Sequence, residues 1–123
     1  LVHEMKARGI GVSFASDNTR DPFYAYGDLD MLEVLRQATR IAHLDHSDAD
    51  WIEAFVTTPA HACGFAAADL LPGAPADLVM CKARSWTELL SRPQSDRIVL
   101  RAGRQIDRTL PDYSDLDHLM RTA

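Results

Sequence analysis

The stretch VSFASDNTRDPF, from Val12 to Phe23, decides how the rest of the chain is interpreted. It lies largely within and just after the apolar run Ile10–Ala15, and a run of this kind is typical of a strand covered on both faces. Asp17 comes two residues after the run, and Asn18 follows it. Because α/β barrels place catalytic carboxylates at the carboxyl ends of their strands, Asp17 is a candidate catalytic acid. Aspartate is also common in turns, where its side chain accepts backbone hydrogen bonds, so both interpretations stand at this point.

The residues on either side of this stretch have helical patterns. Leu29–Leu44 carries apolar side chains at helical spacing, which predicts a helix with Asp28 as its N-cap. Leu1–Arg8 is typical of the last turns of a helix, because Gly9 follows it. A chain that opens inside a helix is expected to be a piece of a longer protein. The order helix, strand, loop, helix is half of a βα repeat, so the predicted fold class is α/β.

Shorter elements follow, and turn residues separate them. Their predicted bounds are a Ser47-capped helix through Val56, a helix from Thr58-Pro59 to Gly64, a strand over Asp77–Cys81, a helical turn with a Ser85–Glu88 capping box, and a hairpin over Arg97–Asp107 that turns at Gly103. The turn-rich run Leu71–Pro75 separates the helical part from these strands. We therefore expect two parts, residues 1–69 and residues 70–123, of which the second is rich in β-structure.

Composition excludes several classes of function. The chain has 123 residues, with 13 Lys and Arg against 18 Asp and Glu, for a net charge of −5. The basic residues are scattered, which argues against a nucleic-acid partner, and no apolar stretch has the roughly 20 residues that a membrane span needs. The only two cysteines, Cys63 and Cys81, lie far apart and indicate reduced thiols rather than a disulfide framework. These features favour the cytoplasm.

The other reactive side chains form no recognisable site in the sequence. No two of the five histidines have the His-x-His or His-x-x-x-His spacing of a metal site. Cys63 and Cys81 have no base nearby and are expected to be small core residues. Trp51, Phe55 and Trp86 are expected to pack in the core. Composition and spacing alone therefore indicate a soluble α/β protein with one candidate acid.

Four segments together resemble the amidohydrolase superfamily, and within it the cytosine deaminase branch. GIGVSFASDNTRDPFYAYGDLDMLEVL, from Gly9 to Leu35, is similar to the last strand, loop and helix of the family's barrel. The segment TTPAHACGF resembles the family's Thr-x-x-Pro-Ala-x-x-x-Gly pattern after the barrel. PGAPADLVM and VLRAGRQI resemble the first strand and the closing hairpin of its small β-sandwich. The resemblance covers about Leu1–Asp107. It implies the last βα unit of a (β/α)8 barrel followed by part of a β-sandwich domain.

The resemblance also implies a reaction and roles for individual residues. Such enzymes hold a divalent metal, Zn or Fe, with histidines and with the acid on the last barrel strand, which is Asp17 here. The chain would then hold one corner of the metal site and be inactive alone. Asp17 would bind the metal or its water and transfer a proton as water attacks the ring carbon. Asn18 would lie beside the ring, in place of the second acid of the best-known cytosine deaminases, and Phe23 would form an aromatic wall or pack under the loop.

The resemblance leaves other functions open. An alkylamino-triazine or another cyclic amide is an alternative substrate to cytosine. A different class of function is a non-catalytic packing or oligomerisation module. In the barrel, the apolar strand and the stripe of the Leu29–Leu44 helix would face neighbours that this chain lacks. Exposed edges and apolar faces of that kind pair with further copies, so we also expect a homo-oligomer.

Overall fold

A computed structural model describes residues 1–66 and 70–120, and it contains both helices and strands. Its helices are α1 (Val2–Ala7), α2 (Met31–Ala42), α3 (Thr57–Ala62), α4 (Trp86–Ser91) and α5 (Asp117–Met120), and its strands are β1 (Leu78–Met80), β2 (Ile98–Arg101) and β3 (Arg104–Gln105). Short 3₁₀ turns lie at Leu44–His46, Ile52–Phe55 and Tyr113–Leu116. Among the helices of the described ranges, none has the length and apolar character that crossing a bilayer requires.

Helix α2 is the longest element, and its predicted N-cap was wrong. The cap is Asp30, whose side chain accepts a hydrogen bond from the Leu32 N–H at 3.0 Å. Asp28 lies two residues earlier, and its carboxylate accepts from the Asp30 N–H instead. Both aspartates suit a helix start by residue type. Asp30 is selected because it also pairs with Arg97, a residue distant in sequence.

The predicted strand over Ile10–Ala15 is not a strand of any sheet in the described part of the chain. Two of its N–H groups have backbone partners: that of Phe14 donates to the Ala54 carbonyl at 3.1 Å, and that of Ile10 donates back to the Met5 carbonyl at 3.0 Å. A strand takes its ladder of hydrogen bonds from neighbouring strands. No such neighbour lies beside this segment among residues 1–66 and 70–120, so the apolar pattern has no sheet to join.

The core forms where α2 meets the turn and helix that follow it. Its buried members are Leu35, Ala38, Leu44, Trp51, Ala54 and Phe55. Phe14 stacks on Phe55 with ring centroids 5.0 Å apart, and its ring edge meets Trp51 at 6.2 Å. The expected burial of Trp51 and Phe55 is therefore confirmed, whereas the expectation for Trp86 was wrong because its side chain is 59% exposed.

Three further local predictions need correction. Ser47 does not cap a helix: its hydroxyl accepts a hydrogen bond from Trp51 Nε1 at 2.8 Å, and the segment after it forms only the 3₁₀ turn. Helix α3 begins at Thr57, so that Pro59 is its third residue and not its first. Cys63, expected in the core, is exposed.

The second part of the chain contains a three-stranded antiparallel sheet in the order β1-β2-β3. Leu78 pairs with Leu100, and Leu100 pairs with Gln105 on its other side. The predicted hairpin is confirmed, and it turns through Ala102 and Gly103 with φ of 48° and 76°. This turn is typical of two-residue hairpin loops. The predicted division between residues 69 and 70 adjoins residues 67–69, which lie outside the described residues, and it stays a prediction.

Candidate functional site

A cleft of about 550 Å³ lies between residues 14–19, the loop that follows them and helix α2. Its polar lining side chains include those of Ser16, Asp17, Asn18, Thr19, Asp28, Asp30 and Glu33. Its apolar lining residues include Phe14, Val34, Ala38, Ile41 and Ala42. A volume of this size lies within the roughly 300–1,000 Å³ of typical small-molecule sites. The cleft therefore brings two of the three predicted site residues together with apolar side chains.

Asp17 has the features of a carboxylate that is free for chemistry. Its side chain is exposed, and it has no hydrogen bond or ion pair to any residue that the structure describes. Its backbone is left-handed, with φ of 58°. Aspartate tolerates that conformation better than most residues. The turn-former interpretation requires backbone donors around this carboxylate, and none lies there in the described ranges.

Asn18 follows Asp17 in the chain, lines the same cleft and is half-buried. Its amide has one acceptor oxygen and two donor hydrogens. A nitrogen heterocycle with an amino group and a ring carbonyl presents both kinds of partner on one edge. Asn18 can therefore read such an edge while Asp17 remains free to move protons.

The loop between Asp17 and α2, residues 17–29, is called the site loop below, and it holds its own shape. The Asp21 carboxylate accepts hydrogen bonds from the N–H groups of Phe23 and Tyr24, both at 2.9 Å. These bonds form a turn at Asp21-Pro22 that shapes the loop. Gly27 has φ of 91°, and a Cβ there would lie 3.1 Å from Thr19 Cγ2, so the loop closes where only glycine fits comfortably.

The aromatic residues of the site loop are placed differently from the sequence expectation. Phe23 is 86% exposed and is not among the residues that line the cleft. Tyr24 does line it, and its ring meets Tyr26 edge-on with centroids 5.5 Å apart. The sequence shows three aromatics close together, but it does not show which one turns inward. That choice depends on the Asp21 turn.

The described residues contain no complete site for a divalent metal. No group of three or more His, Cys, Asp or Glu side chains comes together in the part of the chain that the structure describes. Catalytic zinc sites use three protein ligands and keep one position open. Asp17 suits such a site as one oxygen ligand, since its carboxylate is exposed and faces the cleft. The described residues alone do not hold the ion.

Asp30 is a further carboxylate that lines the cleft, and the sequence patterns above assign it no role there. Partial burial by itself raises the pKa of Asp30, but hydrogen bonds from Arg97 and from the Leu32 N–H, with the charge of Arg97, outweigh it. The pKa of this carboxyl therefore lies below its usual value. Arg97 is 67 residues away, and no local pattern could reveal the pair.

Comparisons with known proteins agree on one family. The model of the amidohydrolase family matches residues 1–107. A pterin deaminase from Rhizobium rhizogenes is 56% identical over 118 residues, which is 95% of this chain and 27% of that protein. The chain thus spans about a quarter of this relative's length.

Solved structures give the same family likeness in three dimensions. The 5-methylcytosine deaminase from Klebsiella pneumoniae liganded with 5-fluorocytosine superposes with a TM-score of 0.68 and 25% identity. The match covers 91% of this chain and 28% of that one. A second structure of that enzyme, with phosphonocytosine, has the same TM-score at 23% identity and shows the shared fold alone.

Proposed function

Because the chain belongs to the amidohydrolase family, we propose that the protein carrying it is a hydrolytic deaminase of amino-substituted nitrogen heterocycles. One observation carries the proposal. An unpartnered carboxylate, Asp17, lies beside the Asn18 amide in a cleft of a chain that is 56% identical to a pterin deaminase. The net reaction replaces a ring C–NH₂ by C=O and consumes one water to release one ammonia.

Asp17 is the proton-transfer residue of the proposed reaction. A divalent metal, when bound, lowers the pKa of water so that it can attack at neutral pH. Asp17 takes the proton that the attacking water loses and returns it to the leaving amine. A carboxylate without a partner among the described residues suits both steps, because neither protonation state breaks a contact within this chain. Asp17 would also be one oxygen ligand of the metal.

Asn18 and Tyr24 are the proposed recognition residues of this chain. The Asn18 amide pairs with the donor and acceptor edge of the heterocycle. Tyr24 offers a ring face or edge at the same cleft. Phe23 keeps its proposed role as an aromatic wall of the substrate site. Of the two rings, that of Tyr24 lines the cleft and that of Phe23 does not. Since pterin and cytosine share an amino group next to ring nitrogens, both are substrates to test, and pterin comes first.

We also propose the architecture in which this chain works. Residues 1–69 form the last βα unit of a (β/α)8 barrel, and residues 70–123 form part of a small β-sandwich domain. The family match over residues 1–107 and the TM-score of 0.68 to a deaminase support this arrangement. The protein is a cytoplasmic homo-oligomer in this proposal. The apolar side chains that α2 leaves exposed, Met31 and Ile41, support further packing partners.

Ammonia release tests the function directly. The protein that carries this chain is supplied with Zn²⁺ or Fe²⁺ and offered pterin, cytosine and an alkylamino-triazine in parallel. We expect release of ammonia from pterin, loss of that activity after chelation, and recovery when one of the two metals is returned. Absence of ammonia from every aminated heterocycle, with either metal, would contradict the proposal.

A further inference from the structure

The half-buried ion pair between Asp30 and Arg97 joins the end of the site loop to the strand-rich part of the chain. Arg97 Nη2 donates to Asp30 Oδ2 at 2.7 Å, with the Arg97 side chain 15% exposed and that of Asp30 20%. A partly buried ion pair is screened less than a fully exposed one. The contact joins two segments that lie 67 residues apart in the sequence.

Hydrogen bonds fix the backbone around Arg97. The Arg97 N–H donates to the Gln94 carbonyl at 3.1 Å, and the Arg97 carbonyl accepts from Arg108 Nη1 at 2.7 Å. Gln94 is only 2% exposed, and its amide donates at 3.0 Å to the carbonyls of Glu88 and Leu89. The guanidinium of Arg97 thus projects from a backbone that hydrogen bonds fix at several points.

The Asp30 carboxylate uses its two oxygens for two purposes. Oδ1 accepts from the Leu32 N–H at 3.0 Å and caps α2, while Oδ2 accepts from Arg97. A second contact joins the same helix to α4, since Arg36 Nε donates to the Leu90 carbonyl at 3.2 Å. The start of α2, the end of the site loop and Arg97 therefore meet at one carboxylate.

The site loop needs such a fixed end because its backbone is strained. Asp17, Arg20 and Leu29 all have left-handed φ, at 58°, 54° and 61°. Non-glycine residues keep that conformation only where the surroundings impose it. Leu29 directly precedes Asp30, so the strained residue lies next to the ion pair.

We propose that Asp30 and Arg97 are positioning residues, whose ion pair fixes the end of the site loop and thereby the place of Asp17 and Asn18 in the cleft. Asp30 lines the same cleft as Asp17 and Asn18, which gives the pair a short path to the site. The inference rests on the proposed function, because it assigns to the pair a share of the deamination rate.

The test uses the protein that carries this chain, loaded with metal, with pterin as substrate. Asp30→Asn keeps a side chain that caps helices well but removes the charge, and Arg97→Gln removes the charge on the other side. We expect each variant to lower kcat about tenfold or more, since small displacements of a reacting group are costly. The double variant should lose little more than either single one, because both break the same contact. Arg97→Lys should recover part of the rate.

Hydrogen exchange gives a second readout that does not depend on turnover. In Asp30→Asn and Arg97→Gln, the amides of residues 17–29 should exchange about tenfold faster or more, while those of α1 stay unchanged. Lys82→Gln is the matched control, since it breaks the 3.1 Å pair with Asp96, which is exposed and remote from the loop. It should change neither kcat nor exchange.

The outcomes separate this inference from the proposed function. Unchanged loop exchange in both variants would overturn the inference, as would an unchanged kcat per folded molecule in a wild-type protein that does release ammonia. If the wild-type protein releases none from any heterocycle, the proposed function fails. Loop exchange then decides alone whether the pair positions residues 17–29.

Discussion

One carboxylate lies at each end of the site loop, since Asp17 is its first residue and Asp30 follows its last. The fold uses the two in opposite ways. Asp17 is exposed and has no polar partner in the described ranges, whereas Asp30 is four-fifths buried and binds with both oxygens. Asp17 has left-handed φ, and Asp30 has the extended backbone of an N-cap. The same residue type is thus free for chemistry at one end and committed to structure at the other.

The difference lies in what each carboxylate would lose on protonation. Asp30 would lose an ion pair and weaken a helix cap, so its proton equilibrium is coupled to folding. Asp17 would lose no contact within the described residues. The proposed catalytic acid and the structural acid of this chain are therefore distinguished by their partners rather than by their sequence neighbours.

Substitution of Asp17 should have the largest effect, and it should fall on activity alone. Asp17→Asn keeps the size and the tolerance for left-handed backbone but removes the proton-accepting oxygen. We expect kcat for pterin to fall by about 100- to 10,000-fold, which is the usual range for a lost general acid–base group. The free energy of unfolding should change by less than about 0.5 kcal/mol, as for an exposed residue without contacts.

Steady-state kinetics and urea unfolding of the same preparation check both halves of that expectation. A marked loss of stability in Asp17→Asn would show that this carboxylate has a structural partner. Retention of near-normal kcat would remove Asp17 from the proposed mechanism. Either result would abolish the contrast between the two ends of the loop.

Substitution of Asp30 should do the reverse and lower stability first. Asp30→Ala removes the cap and leaves the Arg97 guanidinium half-buried without its partner. We expect a loss of about 2 kcal/mol in the free energy of unfolding, which combines a cap and a partly solvated ion pair. Urea unfolding measures it, with Ser85→Ala as the matched control.

Ser85 caps α4 through a 3.2 Å bond from the Glu88 N–H, and it has no ion pair. Its alanine variant should lose about 1 kcal/mol, the usual value of a cap alone. Equal losses at Asp30 and Ser85 would mean that the ion pair adds nothing to the stability of the fold.

Acid should reveal the same pair through pH dependence. The pKa of Asp30 is lower in the folded protein than its usual 3.8, so the ionised form stabilises the fold above that value. This contribution is lost as the pH falls below 3.8 and through the folded pKa. The stability advantage of wild type over Asp30→Asn should therefore shrink in that window and be constant above it. An advantage that does not change with pH would contradict the assignment.

Local signals explain which parts of the fold could be predicted. The Ser85 cap, the Gly103 hairpin and the α2 stripe depend on residues within one element, and all three appear in the structure. The second bond of the predicted capping box differs, since the Glu88 carboxylate accepts from the Arg84 N–H and not from that of Ser85. The Ile10–Ala15 strand failed because a strand depends on neighbours outside its own segment. The N-cap was predicted at Asp28 and lies at Asp30 for a similar reason. Both aspartates suit a cap by residue type, and the contact with Arg97 is made only by Asp30.

The same distinction between local signals and contacts distant in sequence applies to the residues of the candidate site. Asp17 was identified from its place after an apolar run and Asn18 from the family resemblance, and the structure brings both to the cleft. Tyr24 was missed because the turn at Asp21 selects which aromatic faces inward. Arg97 was missed because its role exists only across 67 residues of chain. A pattern in one segment identifies a chemical group, whereas its surroundings come from contacts distant in sequence.

The smallest expected effect tests the strain between the two carboxylates. Leu29 has φ of 61° and is 73% exposed, so its side chain contributes little packing while its backbone is unfavourable. Leu29→Gly removes the left-handed penalty of about 1 kcal/mol, and the greater freedom of glycine in the unfolded chain offsets part of that gain. We expect a net stabilisation of about 0.5 kcal/mol relative to Leu29→Ala, which keeps the strain, with urea unfolding as the measurement. If alanine proves as stable as glycine, the left-handed backbone at Leu29 costs nothing, and the Asp30–Arg97 pair has no strain to hold.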